Sequence, residues 1–294
     1  MSKERRRAFK TLLETKKTIP VPGAYDAVSA KILESLGFDA VYATGFGIAA
    51  SRVGVPDIGL LTMTEVLDQT RNINHAISLP LIVDIDTGYG GLGNVYRTMR
   101  SFEEAGVTAV QIEDQTFPKK CGGLPGRSIA PVEEMIATIG VAKEAREDDN
   151  LLIIARTDAV SSMGVAEGKS RLSAYLEAGA DLVHVGEHCP VRDLKDIAKS
   201  MDNRLVVAGL TSDWEESHLP FSEYEEWGVK IVIYPLFALL VAVKAINNAY
   251  IEFMEKNYLT QTRATQLSSE FWEFQELLGL QHWNDREARH QPGE

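Results

Sequence analysis

LIVDIDTGYGGLGNVYRTMRSFEEAGVTAVQIED, residues 81–114, opens with an apolar run that ends in two aspartates and a glycine cluster. A segment of helical periodicity follows, stops at Gly106, and gives way to a second apolar run ending in Glu113 and Asp114. Runs of this length, rich in Val and Ile, suit strands buried on both faces of a parallel sheet. Glycine is a common helix stop. The stretch therefore reads as one β–α–β unit.

The same unit recurs outward in both directions. Further runs are IPVPGAYD (from Ile19), AVYATG (from Ala40), LLIIARTDA (from Leu151), LVHVGE (from Leu182), RLVVAG (from Arg204) and KIVIYP (from Lys230). Helical segments such as DAVSAKILESLG and KSRLSAYLEAGA lie between them, with further stops at Gly37, Gly179 and Gly228. About eight alternations in a chain of 294 residues fit an α/β fold of the (β/α)8 TIM-barrel type better than an open doubly wound sheet. The barrel is expected over residues 1–240. Residues 241–294 read as a helical extension of the same domain. This tail carries Phe271, Trp272, Phe274 and Trp283, apolar surface that must pack either on its own barrel or on a neighbouring subunit.

A barrel carries its chemistry at the C-terminal ends of its strands. Those ends hold Asp26, Thr44, Asp84, Asp86, Glu113, Asp114, Arg156, Asp158, Glu187 and Tyr234. Asp84 and Asp86, two apart on a strand, face the same side. Carboxylates that close repel unless a proton or cation lies between them. Hard oxygen ligands suit Mg²⁺, with Mn²⁺ as an alternative, and Glu113 on the next strand can complete the shell. The competing reading is that these carboxylates cap helices or pair with lysine. Arg156 can grip a carboxylate or phosphonate bidentately, or else form a buried ion pair with Asp158 or Glu187. Cys121 lies in the glycine-containing loop PKKCGGLPGR. Lys119, Lys120 and Arg127 there favour a thiolate, and such a loop can close as a lid and exchange a proton at a substrate carbon.

Bulk properties narrow the function. The net charge of −12 disfavours nucleic-acid or anionic-membrane partners, and a small anionic substrate would need a local metal or arginine. The first residues lack a signal-peptide pattern, and no apolar run reads as long enough to span a bilayer. Two cysteines are too few for a disulfide framework, which makes the cytoplasm the expected setting. Two motifs fail on context. The GxGxxG at Gly88–Gly93 abuts Asp84 and Asp86, which would repel a pyrophosphate. The HxxEH at His184–His188 falls in a strand, where its histidines stand ~13 Å apart, too far to share a zinc ion.

The segments GAYDAVSAKILESLGFDAVYATG, GVPDIG, DIDTGYGG, QIEDQTFPKKCGG, IIARTDA and IYPL resemble, in order and spacing, the isocitrate lyase and phosphoenolpyruvate mutase superfamily over about residues 18–240. The resemblance implies a barrel whose C-terminal helix is swapped between subunits, commonly in a homotetramer built as a dimer of dimers. It implies that Tyr42, Thr44, Gly45 and Phe46 hold the substrate carboxylate. Asp57, Asp84, Asp86 and Glu113 would form the magnesium shell, with Asp84 the direct ligand. Arg156 would bind substrate, Glu187 would be the acid at the sixth strand end, and Lys119 and Cys121 would belong to the lid. Two departures stand out. Gly123 replaces the histidine of the lyase lid, and Gly209 replaces an asparagine near the seventh strand end. Both remove contacts to a succinate-like product. The expected activity is Mg²⁺-dependent cleavage of a carbon–carbon bond in a 2-hydroxy di- or tricarboxylate, with Cys121 as acid. The alternatives are a phosphonopyruvate-type mutase or hydrolase, an oxaloacetate decarboxylase, and a non-catalytic ligand-binding oligomer.

Overall fold

A computed structural model describes residues 2–186, 189–209 and 219–290. Eight parallel strands close into a barrel in chain order: β1 (Ile19–Ala24), β2 (Val41–Ala43), β3 (Leu81–Asp84), β4 (Ala109–Glu113), β5 (Leu152–Thr157), β6 (Leu182–Val185), β7 (Leu205–Ala208) and β8 (Val229–Tyr234). Strand β8 closes on β1 through Ile231 opposite Ile19. The expected (β/α)8 TIM barrel is thus observed. The helix stops at Gly179 and Gly228 adopt the left-handed conformation that favours glycine.

Side chains alternate between two cores, because successive strand residues point to opposite faces. Val41, Val83, Val110, Ile153 and Val183 pack outward under the helices. Val21, Ile82, Ile154, Val206 and Ile231 fill the barrel interior. Phe9 and Leu13 join that interior core from the helix Ser2–Thr15, which caps the N-terminal end of the barrel. The sequence reading saw only charge in this segment. Arg6 explains why a charged helix can be buried: it donates to the carbonyls of Val107 and Glu103 and to Asp148. We expect Phe9→Ala to lower unfolding free energy by about 3–5 kcal/mol through a cavity under the barrel, measured by urea denaturation. No loss would mean that this helix is dispensable.

After β8 the chain forms the helix Phe237–Lys256, then Gln261–Leu267, Phe271–Leu278 and Leu280–Ala288. Phe271–Leu278 packs back on the helix Ala27–Ser35 of its own barrel, yet Phe271 and Trp272 stay exposed. Along Phe237–Lys256 the residues Val241, Val243, Ile246, Tyr250 and Met254 are also exposed. This helix is long and apolar enough to cross a membrane by length and composition, with a mean hydropathy of 1.3. That corrects the expectation that no segment of the chain reaches this threshold. Lys244, Glu252, Glu255 and Lys256 interrupt the run in sequence, but its remaining residues carry the average.

Candidate active site

The strand ends at the C-terminal mouth bring Tyr42, Asp84, Glu113, Arg156 and His184 around one cavity, closed over by Lys119 and Cys121. The space left between these side chains is about 20 Å³, room for roughly one water.

Asp84 ends β3, and Asp86 follows in a turn with φ +49°. The two carboxylates converge because the backbone turns there, not by strand alternation as the sequence spacing suggested. Asp84 Oδ2 and Asp86 Oδ1 each lie 3.4 Å from the place a Cβ on Gly45 would take, so Gly45 lets the chain run past the pair. Strain of this kind concentrates at functional sites. Lys119 Nζ sits 2.5 Å from Asp57 Oδ1 and 2.6 Å from Asp86 Oδ1. For Asp57 and Asp86, pairing with lysine therefore describes the structure. Burial alone opposes the Lys119 charge, but Asp86, Glu113, Asp57 and Asp84 outweigh it and hold the ammonium pKa well above its usual value.

Burial raises Asp86 to about 7, with Lys119 pulling it down and Asp84 and Asp57 pushing it up. Burial likewise lifts Glu113 well above the carboxylate range against the pull of Arg156 and Lys119. Glu113 Oε1 is buried with no hydrogen-bond partner among the described residues. An acidic cluster held short of positive charge, with an orphaned oxygen, fits a divalent cation. Among the described residues no three carboxylate, imidazole or thiol groups form a ready cage. Mg²⁺ does not need one, since it usually keeps several waters and takes one or two carboxylates.

Arg156 forms a fork-to-fork pair with Asp158, Nε to Oδ2 at 3.1 Å and Nη2 to Oδ1 at 2.9 Å, and stands 3.5 Å from Glu113 Oε2. Gly186 makes room for this pair, because any Cβ there would collide with Asp158. Gln115 extends it: its Nε2 donates to Asp158 Oδ2 and to the Lys120 carbonyl, and its Oε1 accepts from the Lys120 N–H. The Arg156–Asp158 pair and the backbone of Lys120 are thus joined through one amide, a link that the sequence did not reveal.

Cys121 is buried, and its N–H donates to the Asp57 carbonyl at 2.9 Å. The three cations read as activating it are engaged elsewhere: Lys119 with Asp57 and Asp86, Lys120 with the Pro125 carbonyl, Arg127 with Ser161. Thr44 caps the short helix Gly45–Ile48, accepting from the Gly47 N–H, and Phe46 lines the cavity. Two of the acidic strand ends turn away from the cavity. Asp26 caps the helix Ala27–Ser35. Asp114 accepts from Thr157, Tyr175, Arg171 and the Asp158 N–H, a bracing role behind Arg156. Glu187 lies outside the described residues.

Sequence reading also missed the polar layer under the cavity. Tyr42, Gln111 and His184 point inward from β2, β4 and β6. Gln111 Nε2 donates to the Tyr42 hydroxyl at 2.7 Å, and His184 Nδ1 lies 2.7 Å from Gln111 Oε1. Burial, then the Arg156 charge, pushes the His184 imidazole down to about 3. The unfolded chain protonates this histidine below about pH 6.5 while the folded one resists until about pH 3, so its contribution to stability is full above 6.5 and falls as pH drops. We expect His184 to account for about 2 kcal/mol lost between pH 7 and pH 5. Urea titrations of wild type and His184→Gln at both pH values test this; parallel losses would refute it.

A closed (β/α)8 barrel with an acidic cavity holding one arginine at its C-terminal mouth has the layout of a barrel enzyme's active site. Residues 9–254 match the family described as phosphoenolpyruvate phosphomutase. The chain is 39% identical over 285 residues to 2,3-dimethylmalate lyase of Eubacterium barkeri, covering 97% of this chain and 98% of that one. Among solved structures it resembles phosphoenolpyruvate phosphomutase from Streptomyces platensis subsp. rosaceus, with TM-score 0.90 and 29% identity over 97% and 99% of the two chains. It also resembles phosphonopyruvate hydrolase in complex with oxalate and Mg²⁺, with TM-score 0.87 and 29% identity over 97% and 99%. The chain belongs to the phosphoenolpyruvate mutase/isocitrate lyase superfamily.

Proposed function

We propose that the enzyme cleaves a 2-hydroxy di- or tricarboxylate into a 2-oxo acid and a second carboxylate, with Mg²⁺ as cofactor. The observation that carries this reading is the meeting of Asp84, Glu113, Arg156 and Cys121 in one cavity. Asp84, Asp86 and Glu113 would hold the ion, with Asp57 and Lys119 behind them. When bound, the ion supplies positive charge that stabilises oxyanion character on the substrate. Arg156, fixed by Asp158, takes a substrate carboxylate beside the Tyr42–Phe46 segment. The bond from the carbinol carbon to its neighbour breaks, the hydroxyl proton passes to a carboxylate of the Asp84, Asp86 and Glu113 cluster, and a carbonyl forms. The electron pair stays on the departing carbon as an enolate, to which the Cys121 thiol delivers a proton. The same superfamily includes a relative called 2,3-dimethylmalate lyase, which supports a branched dicarboxylate as substrate.

An NMR turnover screen with Mg²⁺ tests this, using dimethylmalate, citramalate, isocitrate, methylisocitrate, oxaloacetate and phosphonopyruvate. Paired appearance of an oxo acid and a second carboxylate is expected. Phosphorus chemistry, or pyruvate with CO2 alone, would overturn the lyase reading.

The exposed apolar face of Phe237–Lys256 supports a homotetramer in which this helix lies on a neighbouring copy. The proposed setting is the cytoplasm, with no nucleic-acid or membrane partner. Sedimentation should give four times the 32.4 kDa chain mass, and Ile246→Glu together with Met254→Glu should dissociate it. A monomeric wild type would sink the assembly.

A further inference from the structure

Among the described residues His184 is the one histidine lining the cavity, and the proposed reaction makes no use of it. Its position follows from the barrel. Interior side chains come in layers of four from alternate strands, and one layer here comprises Tyr42, Gln111, His184 and Ile233. Three of these four are polar and hydrogen-bonded in a row, in a place where branched apolar residues usually pack.

The row fixes the tautomer. Burial, then the nearby Asp84 carboxylate, keeps the Tyr42 phenol protonated. Its oxygen accepts from Gln111 Nε2. Gln111 is thereby oriented with its oxygen toward His184, and that oxygen can only accept. The proton of the neutral imidazole is on Nδ1, which leaves Nε2 with a lone pair. His184 is 1% exposed, and Nε2 has no hydrogen-bond partner among the described residues. The same side chain lines the cavity and sits opposite Arg156 in the strand register. Leaving a buried acceptor unpaired is unfavourable, and the cavity is where a partner can arrive.

We infer that His184 is a specificity residue whose Nε2 accepts a hydrogen bond from a substrate hydroxyl while Arg156 holds a carboxylate beside it. This rests on the reading of the cavity as the substrate site, and deepens it by naming the group the floor selects. The lone pair would face the lone pairs of a carboxylate or phosphonate oxygen placed there, so such groups are turned away. A carbinol supplies the missing proton; a 2-oxo acid without a hydroxyl does not. The selection is for a hydroxy acid over its deoxy and oxo analogues.

The test is binding, so that it does not depend on turnover. Calorimetry with saturating Mg²⁺ compares L-malate and D-malate with succinate, their deoxy analogue. Wild type should bind one malate enantiomer more tightly than succinate. In His184→Phe that ratio should fall about 10- to 100-fold, with succinate affinity unchanged. In His184→Gln, which keeps both an acceptor oxygen and a donor for Gln111, part of the ratio should return. Any preference due to the metal is common to all three proteins and cancels. An unchanged ratio in folded His184→Phe overturns the inference and leaves the site reading intact. Failure of wild type to bind either acid overturns the site reading and the inference with it.

A second measurement needs no variant. In ¹⁵N-histidine-labelled wild type, one of the six histidines should show a pyridine-type Nε2 resonance that moves upfield with malate and holds still with succinate. Equal movement with both acids would overturn the inference.

Discussion

Asp84→Asn is expected to lower kcat/KM by about 10³-fold or more and to abolish the rise in Tm that Mg²⁺ gives the wild type. The substitution keeps size and shape. Asp84 Oδ1 accepts the Asp86 N–H at 3.1 Å, and an asparagine oxygen can do the same, so the turn at Asp86 should survive. What disappears is one negative charge among four carboxylates that share a single ammonium. Removing charge here relieves repulsion, so the metal-free variant should be at least as stable as the wild type. That sign separates the prediction from simple misfolding. Electrostatic stabilisation by a bound ion is worth several kcal/mol in the transition state, and each 1.36 kcal/mol is tenfold in rate. Ligand-linked stabilisation is about 2.7 kcal/mol at one hundred times the dissociation constant, readily seen in a melting curve. Turnover close to wild type, or an intact Mg²⁺ shift, would remove Asp84 from the metal site.

Much of the barrel could be read from sequence because a strand buried on both faces announces itself by composition. The runs at Leu81 and Leu151 needed no knowledge of their partners. The N-terminal helix hid itself, since Arg5, Arg6 and Arg7 dominate its composition while Phe9 and Leu13, four apart on one face, do the packing. Among the acidic strand ends, the sequence could not separate residues that face the cavity from those that turn back. Asp26 looked like Asp84 until its capping bond to the Ser29 N–H was seen. Asp114 is adjacent to Glu113, and strand alternation alone sends the two to opposite faces, so that distinction was available in principle. The Arg156–Asp158 pair was among the readings that spacing allowed. Its extension to Lys120 through Gln115 was not, because the link closes a loop whose course the sequence does not fix. His184 lies in a strand, as its flanking apolar run indicated. Its bond to Gln111 spans 73 positions and depends on which strands adjoin in the closed barrel.

Cys121→Ala should lower kcat by about 10²–10⁴-fold, the usual contribution of a positioned acid, while KM changes by no more than a few-fold. The loop is held by backbone and by neighbours: the Cys121 N–H to the Asp57 carbonyl, Gln115 to both backbone groups of Lys120, and Lys119 to Asp57 and Asp86. These bonds use backbone groups and neighbouring side chains, so all of them remain in the alanine variant, and the carboxylate grip of Arg156 should stay in place. Loss of kcat with KM preserved is the signature of a group that acts after binding. Lys119→Ala should behave differently, because it releases the lid and leaves Asp57 and Asp86 facing each other, so both constants should worsen. Steady-state kinetics on the two variants, with the substrate found by the turnover screen, distinguishes a proton donor from a strut. Equal kcat in Cys121→Ala and wild type would take the acid role from the thiol and return the protonation step to solvent or to another group on the lid.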